Sequence, residues 1–113
     1  MLDVIRNINI PSLQMCLDPA ALVMTGNNPL ASSDEWAERV RLFHARDGIA
    51  GNREQSGYEC RLGDGEVDFG GIFALMREAE FRGPMVARRY QSSQPLHEMA
   101  EAREWLSSAL HRT

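Results

Sequence analysis

Residues 40–48, which read VRLFHARDG, decide the fold that the sequence predicts. The segment is a short apolar run that ends in a histidine and an aspartate, a pattern typical of a buried strand followed by a loop. Because successive side chains of a strand point to opposite faces, Val40, Leu42 and His44 are expected to share one face. His44 is then the last side chain on its face before the chain leaves the sheet, which is where α/β proteins carry ligand-binding residues.

A second strand precedes this one. Residues 13–17 alternate apolar and polar side chains, so that Asp18 follows at the carboxyl end and points to the same side as His44. A carboxylate and an imidazole together suit a divalent cation such as Mn, Mg, Co or Zn. Considered singly, Asp18 is also explained as the cap of a helix that starts at Pro19, and His44 as a hydrogen-bonded core side chain.

Both strands resemble segments of the xylose isomerase-like TIM barrels, a family of sugar and sugar-phosphate isomerases and epimerases. Residues 40–48 resemble its sixth strand, and residues 17–22, LDPAAL, resemble its fifth-strand signature. The resemblance implies that Asp18 and His44 are metal ligands and that Asp47 helps to frame the substrate site. Asp47 alone is also explained as the residue that forms a turn before the glycine that follows it.

Residues 62–69, LGDGEVDF, form the most specific motif in the chain and resemble a segment of the same family. Physically, the two glycines allow a tight turn, and Asp68 caps the helix that follows. The chain contains neither GxGxxG nor a P-loop pattern, and it has no lysine for a phosphate loop or a Schiff base. The motif is therefore interpreted as a structural turn.

Two departures from the family bear on activity. Ala21 replaces a polar residue that helps to orient substrate. Residues 85–88 resemble the eighth strand, which ends in a glutamate that binds metal and acts as acid or base, but this chain has Arg88 there. A guanidinium cannot ligate a cation. We therefore predict that Arg88 contacts Asp18 in place of the metal and that it binds substrate. The expected cofactor is a divalent metal ion, or the protein has no cofactor because of Arg88.

The remaining segments continue the alternation of strands and helices. They are predicted as the end of a helix at residues 1–9, a short seventh strand at 58–62, an amphipathic helix at 69–79 and a closing helix at 94–110. The closing helix has Leu96 and Leu106 on its predicted apolar side.

Length limits how much of a barrel is present. A closed eight-stranded α/β barrel needs about 250 residues, whereas the chain has 113. The length thus predicts one partial α/β domain over residues 1–113, and the resemblance implies that it is the C-terminal half of a TIM barrel, from strand five to strand eight. Half a barrel leaves edge strands unpaired and its inner face uncovered. We expect a second copy of the chain, or a complementary half-barrel chain, to complete it.

Charge and cysteine content restrict the partners and the compartment. The formal net charge of −4 favours neither nucleic acid nor an anionic membrane as a partner. Cys16 and Cys60 stand apart in sequence, which suits reduced thiols. No secretory leader and no apolar run of about 18 residues is present. These features predict a cytoplasmic protein.

The resemblance implies a sugar or sugar-phosphate isomerase or epimerase. Enzymes of this kind shuttle a proton with two carboxylates while a metal holds the substrate oxygens. One carboxylate belongs to the absent half and the other is replaced by Arg88, so we expect a truncated protein that is inactive alone. The alternative is a non-catalytic assembly or binding protein derived from the same scaffold.

Overall fold

The computed structural model describes residues 15–89 and 92–112. The helix predicted at residues 1–9 and the first two residues of the strand predicted at 13–17 lie outside this part of the chain. A 3-10 turn at Pro29–Ser32 precedes the second helix. The strands and α-helices are, in chain order, β1 (Met15–Leu17), α1 (Pro19–Met24), α2 (Ser33–Trp36), β2 (Val40–Ala45), β3 (Asp47–Ile49), β4 (Tyr58–Cys60), α3 (Phe69–Glu78), β5 (Met85–Ala87) and α4 (Pro95–Arg112).

Three strands form a parallel sheet in the order β1-β2-β5. The register pairs Leu17 with Phe43 and His44 with Val86. Because all three strands run in the same direction, their carboxyl ends meet at one edge of the sheet. The residues that follow β1, β2 and β5 therefore lie next to one another.

The two faces of this sheet are buried to different extents. Met15, Leu17, Phe43 and Ala45 are buried in the core beneath the helices. The opposite face carries an exposed Cys16 and side chains that are only partly buried, namely Leu42, His44 and Val86. The predicted alternation is confirmed over the second half of β2.

Val40 departs from that alternation. The pairing between β1 and β2 is irregular after Met15, so that Val40 lies beside Met15 and Leu42 lies beside Cys16. Val40 is consequently buried in the core and does not share a face with His44. A one-residue irregularity of this kind moves every side chain before it to the other face of the sheet.

The predicted seventh strand is wrong as a strand of the barrel. Residues 58–60 form β4, which pairs antiparallel with β3. The chain leaves the parallel sheet after Ala45 and folds back on itself as this hairpin. As a result β5 is the direct parallel neighbour of β2, and the described parallel sheet has three strands where the sequence predicted four.

The long helices follow the predicted pattern with one exception. Asp68 caps α3 by accepting a hydrogen bond from the Gly71 N–H at 3.1 Å, as predicted. Leu106 of α4 is buried, whereas Leu96 is 88% exposed, so the apolar side of α4 is covered only toward its C-terminal end. No helix in the described ranges has the length and apolar character needed to cross a membrane.

Candidate functional site

The structure brings Asp18 and His44 together at the carboxyl edge of the parallel sheet. The Asp18 Oδ2 and His44 Nδ1 atoms are 3.9 Å apart, and both side chains remain partly accessible to solvent. Asp18 also caps α1, because its Oδ1 accepts a hydrogen bond from the Ala21 N–H at 3.2 Å. The carboxylate thus fulfils the structural role predicted for it and also lies beside the imidazole.

A buried arginine also contacts Asp18. Arg46 Nη1 lies 2.7 Å from Asp18 Oδ2, and Arg46 Nε lies 2.7 Å from Glu59 Oε2. Burial acts against the positive charge, but the hydrogen bonds to Glu59 and Asp18 outweigh it and raise the pKa of Arg46 above its ordinary value. A permanent cation therefore lies beside the predicted metal ligand.

The ion pairs continue away from Asp18. Glu59, whose side chain is 1% exposed, also accepts from Arg89 Nη1 at 3.0 Å, and Arg89 Nε lies 2.8 Å from Glu98 Oε2. We call the series Asp18, Arg46, Glu59, Arg89 and Glu98 the ion ladder. It ties the carboxyl ends of β1, β2 and β5 to the hairpin and to α4. Such a buried network is held by the mutual compensation of its charges.

Sequence reasoning missed four members of the ion ladder as site residues. Glu59 and Arg89 are separated by 30 positions, and Arg46 and Asp18 by 28. Nothing in the local pattern connects residues so far apart. A signal did exist for Arg46, because it stands two positions after His44 and would share its face if the alternation continued past β2.

A cleft of about 240 Å³ opens beside the ion ladder. It contains both residues predicted to bind substrate, Asp47 and Arg88, and it is also lined by Cys60 and Trp105. Burial is the main reason that the pKa of Cys60 is raised to about 11, with the nearby Asp47 charge adding to it. A thiol with this pKa is neutral near pH 7, so Cys60 is not an activated nucleophile.

Arg88 is exposed at the end of β5. Its backbone N–H donates to the Ala45 carbonyl at 3.3 Å, which extends the pairing with β2. Desolvation and the charge of Asp18 raise the pKa of the Cys16 thiol, while Arg88 opposes both effects. Arg88 is therefore close enough to Cys16 for its charge to act on the thiol. The Arg46 guanidinium lies at hydrogen-bonding distance from Asp18, and the predicted contact between Arg88 and Asp18 stays a prediction.

The Asp47 carboxylate is turned into the protein and is 1% exposed. Oδ1 accepts from the backbone N–H groups of Gly48 at 2.8 Å and Val67 at 3.1 Å. Oδ2 accepts from those of Gly63 and Gly65, both at 3.0 Å. A substrate contact for Asp47 stays a prediction, since these four backbone bonds already engage both carboxylate oxygens.

The two glycines of the 62–69 motif are required by this arrangement. Gly63 has φ of +92°, and a Cβ atom there would overlap the indole of Trp105. A Cβ atom on Gly65 would overlap the Asp47 carboxylate. The interpretation of the motif as a structural turn agrees with both observations.

The described residues do not by themselves fit a divalent metal. No three histidine, cysteine, aspartate or glutamate side chains in these ranges converge on a position where an ion could bind. Asp18 and His44 supply two donors, whereas zinc takes about four ligands and magnesium about six. The Arg46 guanidinium, which cannot donate to a metal, is hydrogen-bonded to one of the two.

Comparison with known proteins identifies the fold. The profile of the family described as xylose isomerase-like TIM barrel matches residues 1–109. A xylose isomerase domain protein from Planctomyces limnophilus superposes with a TM-score of 0.80 at 27% identity, covering 96% of this chain and 39% of that one. No curated protein matches the chain.

Two further solved structures contain metal. A xylose isomerase-like TIM barrel protein from Mycobacterium smegmatis in complex with magnesium superposes with a TM-score of 0.72 at 22% identity. The match includes 96% of this chain and 39% of that protein. The IOLI protein with a bound zinc atom superposes with a TM-score of 0.74 at 12% identity. The match includes 98% of this chain and 42% of that protein. The chain thus spans about two fifths of the length of these proteins.

Proposed function

This chain belongs to the xylose isomerase-like TIM barrel family, and we propose that it is the C-terminal half of a sugar or sugar-phosphate isomerase or epimerase scaffold that binds its ligand but is not catalytic alone. The observation that carries the proposal is the meeting of Asp18 and His44 at 3.9 Å on the carboxyl edge of the parallel strands. That edge is where TIM barrels place their substrate-binding residues.

The proposed lack of activity is supported by the side chains available at this edge. Isomerisation and epimerisation remove a proton from carbon and return it, which needs correctly placed acid and base groups. Asp18 is paired with Arg46 at 2.7 Å, and Arg88 follows β5 where the resembling family has a carboxylate. The His44 imidazole lies beside this ion pair. A single imidazole does not supply both the acid and the base that the reaction needs.

The test is a pair of NMR measurements on the purified chain. Aldoses, ketoses and their phosphates are incubated with the protein in D₂O. Deuterium incorporation at carbon reports proton abstraction, and the appearance of an isomer or epimer in the same spectra reports turnover by any route, including a hydride shift. We expect neither. Ligand-observed NMR on the same panel is expected to detect sugar binding that His44→Ala weakens and that His111→Ala, at an exposed position near the end of α4, leaves unchanged. Deuterium incorporation would reject the loss of catalysis, and absence of binding to every sugar would reject the sugar assignment.

We further propose that the barrel is completed by a second copy of this chain or by a complementary half-barrel chain. The proposal is supported by the unequal burial of the two sheet faces, since Leu42, His44 and Val86 are only partly covered and an inner barrel face is normally filled by side chains. Light scattering during size exclusion gives the mass directly. A dimer agrees with the second copy, whereas a monomer at all concentrations would eliminate it.

The second candidate function is that of a non-catalytic assembly or binding protein that keeps the barrel scaffold. The contact between Arg46 and Asp18 favours it, because an ion pair at this position is compatible with a structural role. Sugar binding without deuterium exchange is common to both candidates. An assembled protein that binds no sugar would select the assembly role.

A further inference from the structure

We infer that Arg46 takes the place of the divalent cation in this chain. Its guanidinium neutralises the charge of Asp18, the carboxylate beside His44, and thereby excludes a metal ion from this site. The inference concerns the edge of the sheet described above but does not depend on sugar binding. The Mycobacterium smegmatis protein was crystallised with magnesium and the IOLI protein with zinc, so the inference is a difference in metal binding that can be measured.

Both oxygens of Asp18 are already engaged. Oδ1 accepts from the Ala21 N–H at 3.2 Å, and Oδ2 accepts from Arg46 Nη1 at 2.7 Å. A metal ion bound to Oδ2 would lie within about 5 Å of the guanidinium, because metal to oxygen distances are about 2.0–2.6 Å. Like charges at this distance in a partly buried site repel strongly. The carboxylate therefore has its counter-ion before any metal arrives.

Arg46 is not able to swing aside at low cost. Its side chain is 10% exposed, and its Nε is held by Glu59 Oε2 at 2.7 Å. The Glu59 side chain is itself 1% exposed. If Arg46 moved away, this buried carboxylate would keep its contact with Arg89 but lose its contact with Arg46. Removing one member of a buried ion pair is strongly unfavourable.

The planar guanidinium suits this position. It presents several N–H groups in a fixed fork, so that it can serve Asp18 through Nη1 and Glu59 through Nε at the same time. Arg88 directly follows β5, so that a second positive charge lies at the carboxyl edge of the sheet. If another part of a completed barrel supplied further metal ligands, the ion would still be repelled by the guanidinium groups of Arg46 and Arg88.

The experiment measures Mn²⁺ alone against the full chain, with electron paramagnetic resonance used to count the free ion. We expect no saturable site in the wild-type protein up to millimolar Mn²⁺, and no change on Asp18→Asn. The double variant Arg46→Gln/Glu59→Gln removes the guanidinium without leaving Glu59 charged. It is expected to show a saturable Mn²⁺ site with a Kd at least tenfold below the millimolar limit reached with the wild type, and adding Asp18→Asn should abolish that site.

Two results would overturn the inference. A stoichiometric Mn²⁺ site in the wild-type chain that Asp18→Asn removes would show that Arg46 does not exclude metal. Absence of binding in a folded double variant would assign the exclusion to the small number of ligands instead of to Arg46. Circular dichroism checks that the variant is folded, and if it is not, the wild-type and Asp18→Asn titrations still decide whether the site takes metal.

Discussion

Replacing Asp47 by asparagine tests the internal anchor of the site. The Asp47 carboxylate accepts four backbone N–H groups, two on each oxygen. Asparagine keeps one oxygen and turns an NH₂ group toward the other two donors. Whichever way the amide is oriented, two N–H groups lose their acceptor and face another donor. They are either the buried pair of Gly48 and Val67 or the partly buried pair of Gly63 and Gly65.

The magnitude follows from those two lost acceptors. A buried donor left unsatisfied costs about 1–3 kcal/mol, so the free energy of unfolding should fall by about 2–6 kcal/mol. That is a large share of the roughly 5–15 kcal/mol that stabilises a typical domain. The matched control is Asp64→Asn in the same turn. Its carboxylate is 62% exposed and lies 3.6 Å from Arg61, so the expected change is about 0–1 kcal/mol.

Urea unfolding followed by tryptophan fluorescence measures both variants. Trp105 packs against the turn that Asp47 holds, since its indole occupies the space beside Gly63, so its emission should report the loss of the turn. We expect a much lower midpoint for Asp47→Asn than for Asp64→Asn. If the two variants unfold within about 0.5 kcal/mol of each other, the carboxylate is not the anchor of this turn.

Three further predictions concern the same region. Gly65→Ala should lower the melting temperature, because the added Cβ atom would overlap the Asp47 carboxylate. The control Gly70→Ala, whose Cβ atom would have only a 3.7 Å contact with Asp68, should be neutral or stabilising by up to about 1 kcal/mol; equal melting temperatures would contradict this. Glu59→Gln should cost up to about 3–5 kcal/mol in urea unfolding, since Arg46 and Arg89 each lose one of their carboxylate partners, while Glu54→Gln in the exposed loop should cost little. With a pKa of about 11, Cys60 should react slowly with iodoacetamide at pH 8 and about tenfold faster per pH unit above it, because raised pH increases the thiolate fraction; fast alkylation of Cys60 at pH 8 would refute the raised pKa.

The sequence predicted the elements whose signal is local. Alternation in residues 42–45 predicts the faces of β2, and the parallel direction of β1 and β2 then places Asp18 beside His44. The cap at Asp68 is likewise set by neighbouring residues. In each case the physical cause acts within one element or between two adjacent strands.

The errors arose where pairing partners decide the outcome. A strand of three residues such as β4 has the same pattern whether it pairs in parallel or antiparallel, so residues 58–60 were assigned to the wrong sheet. The ion ladder joins residues up to 30 positions apart, which no periodicity can reveal. Exposure of Leu96 depends on what covers α4, and that too is a tertiary property.

The most direct measurement of the proposed site is a chemical-shift map of the ¹⁵N-labelled chain titrated with the sugar or sugar phosphate that binds best in the ligand screen. We expect the perturbed amides to cluster at the carboxyl ends of β1, β2 and β5, around Asp18, His44 and Arg88. Perturbations confined to the opposite edge of the sheet, or spread over the outer helices, would contradict a ligand site where Asp18 and His44 meet.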